Sequence, residues 1–114
     1  MVTVFGIKNC DTIRKARRWL DGRGVEYSFH DVRSDGLSRK QLEGWAATLG
    51  WENLLNRRGT TWRKLPESVR DAINKRTAIK LMLEQPAMIK RPVLDLGNSL
   101  HLGFSEEIWT GLFQ

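Results

Sequence analysis

An α/β fold is predicted, with a mixed sheet whose two halves are separated by an all-helical insertion. Three observations lead to it. Residues 2–32 read as strand, helix, strand; residues 38–85 carry apolar side chains only at helical spacing; and strand signals return around Gly97-Asn98, followed by a capped helix. The order is therefore βαβ, then helices, then ββα, which is the order of a thioredoxin-like domain. Its length of 114 residues fits one domain, with the helical insert spanning about 38–85.

Each element has a local reason. Val2-Thr3-Val4-Phe5 is β-branched and aromatic and ends at Gly6, a strand of the buried kind. From Asp11, the apolar residues Ile13, Ala16 and Leu20 recur at helical spacing, with Trp19 widening the stripe. Arg14, Lys15, Arg17 and Arg18 fill the other face, and Gly22 and Gly24 stop the helix. Residues 25–32 alternate apolar and polar, a second strand. A helical connection between two strands implies a parallel pair with a right-handed crossover.

In the insert, Ser38 and Gln41 form a capping-box pattern before Leu42, Trp45, Ala46 and Leu49, and Gly50 ends that helix. Residues 51–56 suit a short helix. RRGTTWRKL reads as a basic loop hinged at Gly59. Pro66 opens a helical stretch bearing Val69, Ala72 and Ile73, and a last helix is expected over about 77–85 with Ile79, Met82 and Leu83, before Pro86. Residues 93–96 and 99–102 flank Gly97-Asn98 as a two-residue hairpin. Ser105 then caps a final helix, with Glu106 and Glu107 in its first turn and Ile108, Trp109 and Leu112 on its apolar side.

Composition narrows the function. A lone cysteine excludes an internal disulfide and a cysteine-cluster metal site, and His30 and His101 stand far apart, so no metal is expected. No secretory signal and no membrane-spanning stretch is seen; a cytoplasmic, soluble protein is the expectation. Lys and Arg number 19 against 13 Asp and Glu, for a net charge of +6. Such a balance with five Trp invites nucleic acid, but the cations are scattered in short clusters and the tryptophans sit at core spacing. An anion site for a small molecule fits better.

Cys10 is the centre of the functional reading. A free cysteine is commonly a buried filler. This one, however, follows the loop Gly6-Ile7-Lys8-Asn9 and precedes the resumed apolar pattern, so it falls at a helix N-terminus. Unpaired backbone N–H groups and the positive end of the helix dipole favour a thiolate there. Lys8 and Arg14 would add to that field and Asp11 would oppose it. Position 13, where a dithiol motif needs a second cysteine, holds Ile13. An oxidised Cys10 must then be cleared by an external thiol through a mixed disulfide.

A thioredoxin-type sheet would bring the loop of Cys10 beside Arg91-Pro92. Arg57, Arg58 and Arg91 each adjoin a glycine or proline loop, and guanidinium groups that converge on a thiolate would bind an anionic substrate. In such folds the backbone before the proline also pairs with a bound extended peptide.

FGIKNCDTIRKARRWL, LLNRRGTTWRKL, PAMIKRPVL and HLGFSEE together resemble the arsenate reductase-like (ArsC/Spx) family, in particular its small YffB-type members. The likeness runs from end to end. It implies a thioredoxin-like fold with a helical insert, a nucleophile at Cys10, an oxyanion-binding arginine at Arg91 and a cis-proline at Pro92. It also implies electrons from glutathione, with glutaredoxin as a further partner. Three departures count against arsenate itself, one being the Asn9-Cys10-Asp11-Thr12 context of the cysteine loop. Asn56 stands at the middle arginine position, with Arg57 and Arg58 beside it, and Leu102 or Gly103 stands where the late arginine would be. Spx-type regulators of RNA polymerase sense oxidants with a cysteine pair, which Ile13 removes.

The reading that follows is a glutathione-dependent thiol reductase or thiol-transfer enzyme. Cys10 is its nucleophile, and Lys8, Arg57 or Arg58, Arg91 and Pro92 form its substrate site. Glutathione is the cosubstrate, no cofactor is bound, and the substrate is a small anion or disulfide. The alternatives are a glutaredoxin-coupled arsenate reductase and an Spx-like polymerase-binding regulator without the redox switch.

Overall fold

The computed structural model describes residues 1–114. In chain order it contains strand β1 (Thr3–Gly6), helix α1 (Asp11–Gly22), strand β2 (Ser28–Asp31) and helices α2 (Arg39–Leu49), α3 (Trp51–Leu54), α4 (Thr60–Arg63), α5 (Glu67–Asp71) and α6 (Lys75–Glu84). A 3₁₀ turn at Pro86–Met88, strands β3 (Val93–Asp95) and β4 (Leu100–Leu102) and helix α7 (Glu106–Leu112) complete it. Two compact units emerge, residues 1–32 with 91–114, and residues 33–90.

The first unit is a four-stranded mixed sheet of order β2-β1-β3-β4, the thioredoxin-like arrangement. β1 runs parallel to β2, Thr3 opposite Ser28 and Gly6 opposite Asp31, and antiparallel to β3, Val4 opposite Leu94. β3 and β4 form the expected hairpin, with Leu96 N–H donating to Ser99 O at 2.9 Å across Gly97-Asn98. Gly97 takes φ 93°, a left-handed conformation that a side chain would disfavour.

The core of this unit follows from register. Val4 and Leu94, paired across β1 and β3, are buried with Ala16 and Leu20 of α1 and Trp109 of α7. Trp19, Phe104 and Phe113 surround Trp109 edge-on or tilted, and its indole N–H donates to Gly103 O at 3.1 Å.

α1 is held at both ends. At its C-terminus Gly24 takes φ 68°; its N–H donates to Asp21 O at 3.1 Å, and Val25 N–H donates to Leu20 O at 3.1 Å. This pair of bonds is a Schellman motif. It also explains why β2 starts at Ser28 rather than at Val25, as alternation suggested. Val25 closes the helix, and the half-buried Val25 and Tyr27 flank the core without strand pairing. At the other end, a Cβ on Gly6 would lie 2.3 Å from Ile13 Cδ1, so glycine is what lets β1 run close beneath the first turn of α1.

The second unit is helical. Leu42, Trp45 and Ala46 of α2, Leu54 of α3, Trp62 of α4 and Ala78, Ile79 and Met82 of α6 are buried. Leu55 and Ile89 form an isolated antiparallel bridge, and Asn56 N–H donates to Met88 O at 2.8 Å. The expected insert over 38–85 lies inside this unit. Two local expectations are corrected. RRGTTWRKL is not all loop, because burial of Trp62 organises the single turn of α4. α6 begins at Lys75, two residues before the expected start, because Asn74 and Thr77 form a reciprocal capping box ahead of its apolar stripe.

Candidate active site

Cys10 is the N-cap residue of α1, with extended backbone at φ −103° and ψ 128°. Asp11, Thr12 and Ile13 are thus the first three helical positions, whose N–H groups have no partner within the helix. The thiol makes no capping hydrogen bond. Sulfur is a weak acceptor until it ionises.

The chain reaches this position through Ile7, buried, and Lys8 and Asn9, both exposed. Asn9 takes φ 67°, a left-handed conformation that asparagine tolerates better than most residues. Lys8 N–H donates to Asp31 Oδ2 at 3.0 Å, joining the loop to the end of β2.

From the other half of the unit comes Arg91. Its peptide bond to Pro92 is cis, and Pro92 O accepts from Gly103 N–H at 2.8 Å. The Arg91 side chain comes close enough to the Cys10 sulfur for its hydrogen-bonding group and positive charge to favour the thiolate. The ionisation of Cys10 is a contest between these groups. Burial pushes the thiol up and is the largest single influence. The Ile13 N–H, the Arg91 hydrogen bond and positive charge, and the Thr12 N–H outweigh it together and bring the thiol below its ordinary value. Cys10 is only partly buried, so the sulfur remains open to a reactant.

Of the residues singled out in the sequence, Cys10, Arg91 and Pro92 therefore meet within one unit. Lys8 lies two positions before Cys10; its main chain binds Asp31, while its side chain is exposed and engages no other group. Arg14 does not add freely to the field on Cys10, because it forms an ion pair with Asp11, and the two charges offset each other. Arg57 and Arg58 belong to the second unit, on the turn between α3 and α4. Arg57 stacks 5.5 Å from the Trp62 ring centroid, and Arg58 N–H donates to Asn56 Oδ1 at 3.1 Å. No group of three or more His, Cys, Asp or Glu side chains is placed to hold a metal, and no helix is long and apolar enough to cross a membrane.

Asp31 was not apparent from the sequence as part of this site. It is the buried charged side chain of the protein, 4% exposed. A carboxylate at an inward strand position was the available signal, since such a group needs a buried partner.

Comparison with known proteins agrees with this fold. The solved structure of the YFFB protein superposes with a TM-score of 0.92 at 47% identity, covering 97% of each chain. An arsenate reductase (ArsC) related protein from Brucella melitensis gives a TM-score of 0.81 at 49% identity, over 99% of this chain and 94% of that one. The global transcriptional regulator Spx of Streptococcus mutans is 29% identical over 109 residues, 94% of this chain and 79% of Spx. The ArsC family's sequence profile matches residues 5–112, and the chain belongs to the ArsC family.

Proposed function

We propose that this protein is a glutathione-dependent thiol reductase or thiol-transfer enzyme. The observation that carries the reading is the solvent-reachable Cys10, its thiol brought below its ordinary value by the first-turn amides of α1 and by Arg91. In the first step the Cys10 thiolate attacks one sulfur of a disulfide R–S–S–R′. A Cys10–S–S–R bond forms, the original S–S bond breaks, and R′–S⁻ leaves with the electron pair. Because Cys10 is the chain's one cysteine, a second thiolate from outside must attack the mixed disulfide. That attack releases Cys10 as thiolate and leaves the outside thiol oxidised. Glutathione supplies that thiol in this reading, with glutaredoxin as the partner that clears a glutathionylated Cys10.

Glutathione carries two carboxylates, which suits a cationic site. Arg91 and the exposed ammonium of Lys8 bind them in this proposal, with Pro92 forming the adjoining wall. Incubation with oxidised glutathione followed by mass spectrometry tests it. One adduct is expected, absent from Cys10→Ser; an unmodified wild-type protein would overturn the reading.

Arsenate reduction is a second reading, favoured by the arginine beside the nucleophile. There the Cys10 thiolate would attack arsenic, forming an As–S bond as an As–O bond breaks and the oxygen leaves as water with protons from solution. Two thiols, oxidised to one disulfide, would then supply the two electrons that release As(III). Steady turnover of arsenate in the presence of glutathione and glutaredoxin would establish it. A polymerase pull-down unaffected by Cys10→Ser would point instead to a regulator.

A further inference from the structure

The Ile13 and Thr12 amides and Arg91 are what bring the Cys10 thiol below its ordinary value. Their position against the sulfur depends on where α1 starts relative to the end of β1, and so on the short loop of Ile7, Lys8 and Asn9. Part of the loop has little to hold it: Lys8 and Asn9 are exposed, and Asn9 sits in left-handed backbone. What reaches the loop from the sheet is Asp31.

Asp31 ends β2 opposite Gly6, the last residue of β1, and the next residue, Val32, donates its N–H to Gly6 O at 2.9 Å. From this position the carboxylate Oδ2 accepts the N–H of Lys8 at 3.0 Å. A buried carboxylate is costly unless it is hydrogen-bonded, and a bond from an amide to a charged acceptor is stronger than a neutral one. This buried charge spends one such bond on the loop that leads into the nucleophile. We propose that Asp31 is a positioning residue for Cys10: by gripping the Lys8 amide it fixes the start of α1 and hence the place of the Cys10 sulfur against the first-turn amides and Arg91. The proposal rests on the reading of Cys10 as a nucleophile, and it assigns Asp31 no contact with substrate.

The test separates geometry from charge. Asp31→Asn is nearly isosteric and keeps an oxygen that can accept from Lys8 N–H, but it removes the charge. Asp31→Glu keeps the charge but displaces the oxygens by one methylene. Asp31→Ala removes both. The readout is the rate of Cys10 alkylation by iodoacetamide against pH, with far-UV circular dichroism to verify folding. Asn is expected to keep the wild-type midpoint. Glu and Ala are expected to raise it toward the free-thiol value of about 8.5, slowing alkylation about threefold or more at pH values below the midpoint. Leu94→Ala, which weakens the core of the same unit, should lower thermal stability and leave the midpoint in place.

A folded Glu variant with the wild-type midpoint, or an Asn variant shifted as far as Glu, would overturn the proposal. This comparison decides the matter even if the Ala variant does not fold. Alkylation reports thiolate regardless of the physiological reactant. Failure of the glutathione adduct would thus strike the proposed function and leave this result standing, and the reverse also holds.

Discussion

At Cys10 the protein's pH dependence and its chemistry meet. The thiol ionises more readily in the folded state than in the unfolded chain. Between the two pKa values the unfolded state therefore binds more protons, and stability rises with pH across that window. The contribution is complete above the unfolded value of about 8.5 and is lost as pH falls through the lower, folded value. Urea unfolding of wild type and Cys10→Ser at a series of pH values should show the gap moving in the wild type's favour as pH rises. A constant gap would mean that the sulfur is not held as an anion. Gly6 tests the same corner sterically. In Gly6→Ala the new methyl would overlap Ile13, which is 2% exposed and has little room to move. A loss of about 1–3 kcal/mol in urea unfolding is expected, as for overpacking elsewhere. Alkylation of Cys10 in that variant would also report any shift of α1.

Elements depend on their ends. α6 is ten residues long and marginal as an isolated helix, so its cap matters. Asn74 accepts the Thr77 N–H at 3.0 Å, and Thr77 Oγ1 accepts the Asn74 N–H at 2.9 Å. Asn74→Ala removes the side-chain acceptor, and about 1 kcal/mol of stability should go with it in a urea titration. The capping box is legible in the sequence, whereas the apolar spacing of Ile79, Met82 and Leu83 marks only the later turns. α1 is the contrasting case. Its apolar stripe, its glycine stop and the placement of Cys10 at its start could all be read locally, because each depends on a few neighbouring residues. Alternation overstates the length of β2, since half-buried Val25 and Tyr27 mimic a strand while serving a helix terminus and the core edge.

Across the whole molecule, the first unit joins the two ends of the chain, because β1 lies between β2 and β3. Trp109 is the largest side chain in the core cluster of that unit, 1% exposed, with Phe104 at 4.8 Å in an edge-to-face contact. Trp109→Ala leaves a cavity and deprives Gly103 O of its indole donor. A loss of about 3–5 kcal/mol is expected, measured by denaturant midpoint with the slope unchanged.

The amino-acid sequence by itself determined the order of strands and helices, the hairpin at Gly97-Asn98, the single thiol and the isoleucine that denies it a resolving partner. Those features rest on local periodicity, turn chemistry and residue identity, which act over a few positions. Only the tertiary structure decided that Arg91 lies beside the Cys10 sulfur and that the buried Asp31 reaches the Lys8 amide. The Arg91 and Asp31 contacts depend on strand register and chain crossover between residues remote in sequence, and the Asp11–Arg14 pair depends on the side-chain conformations taken at the helix start. That pair has i,i+3 spacing within one helix turn, whereas no local pattern encodes the Arg91 and Asp31 contacts.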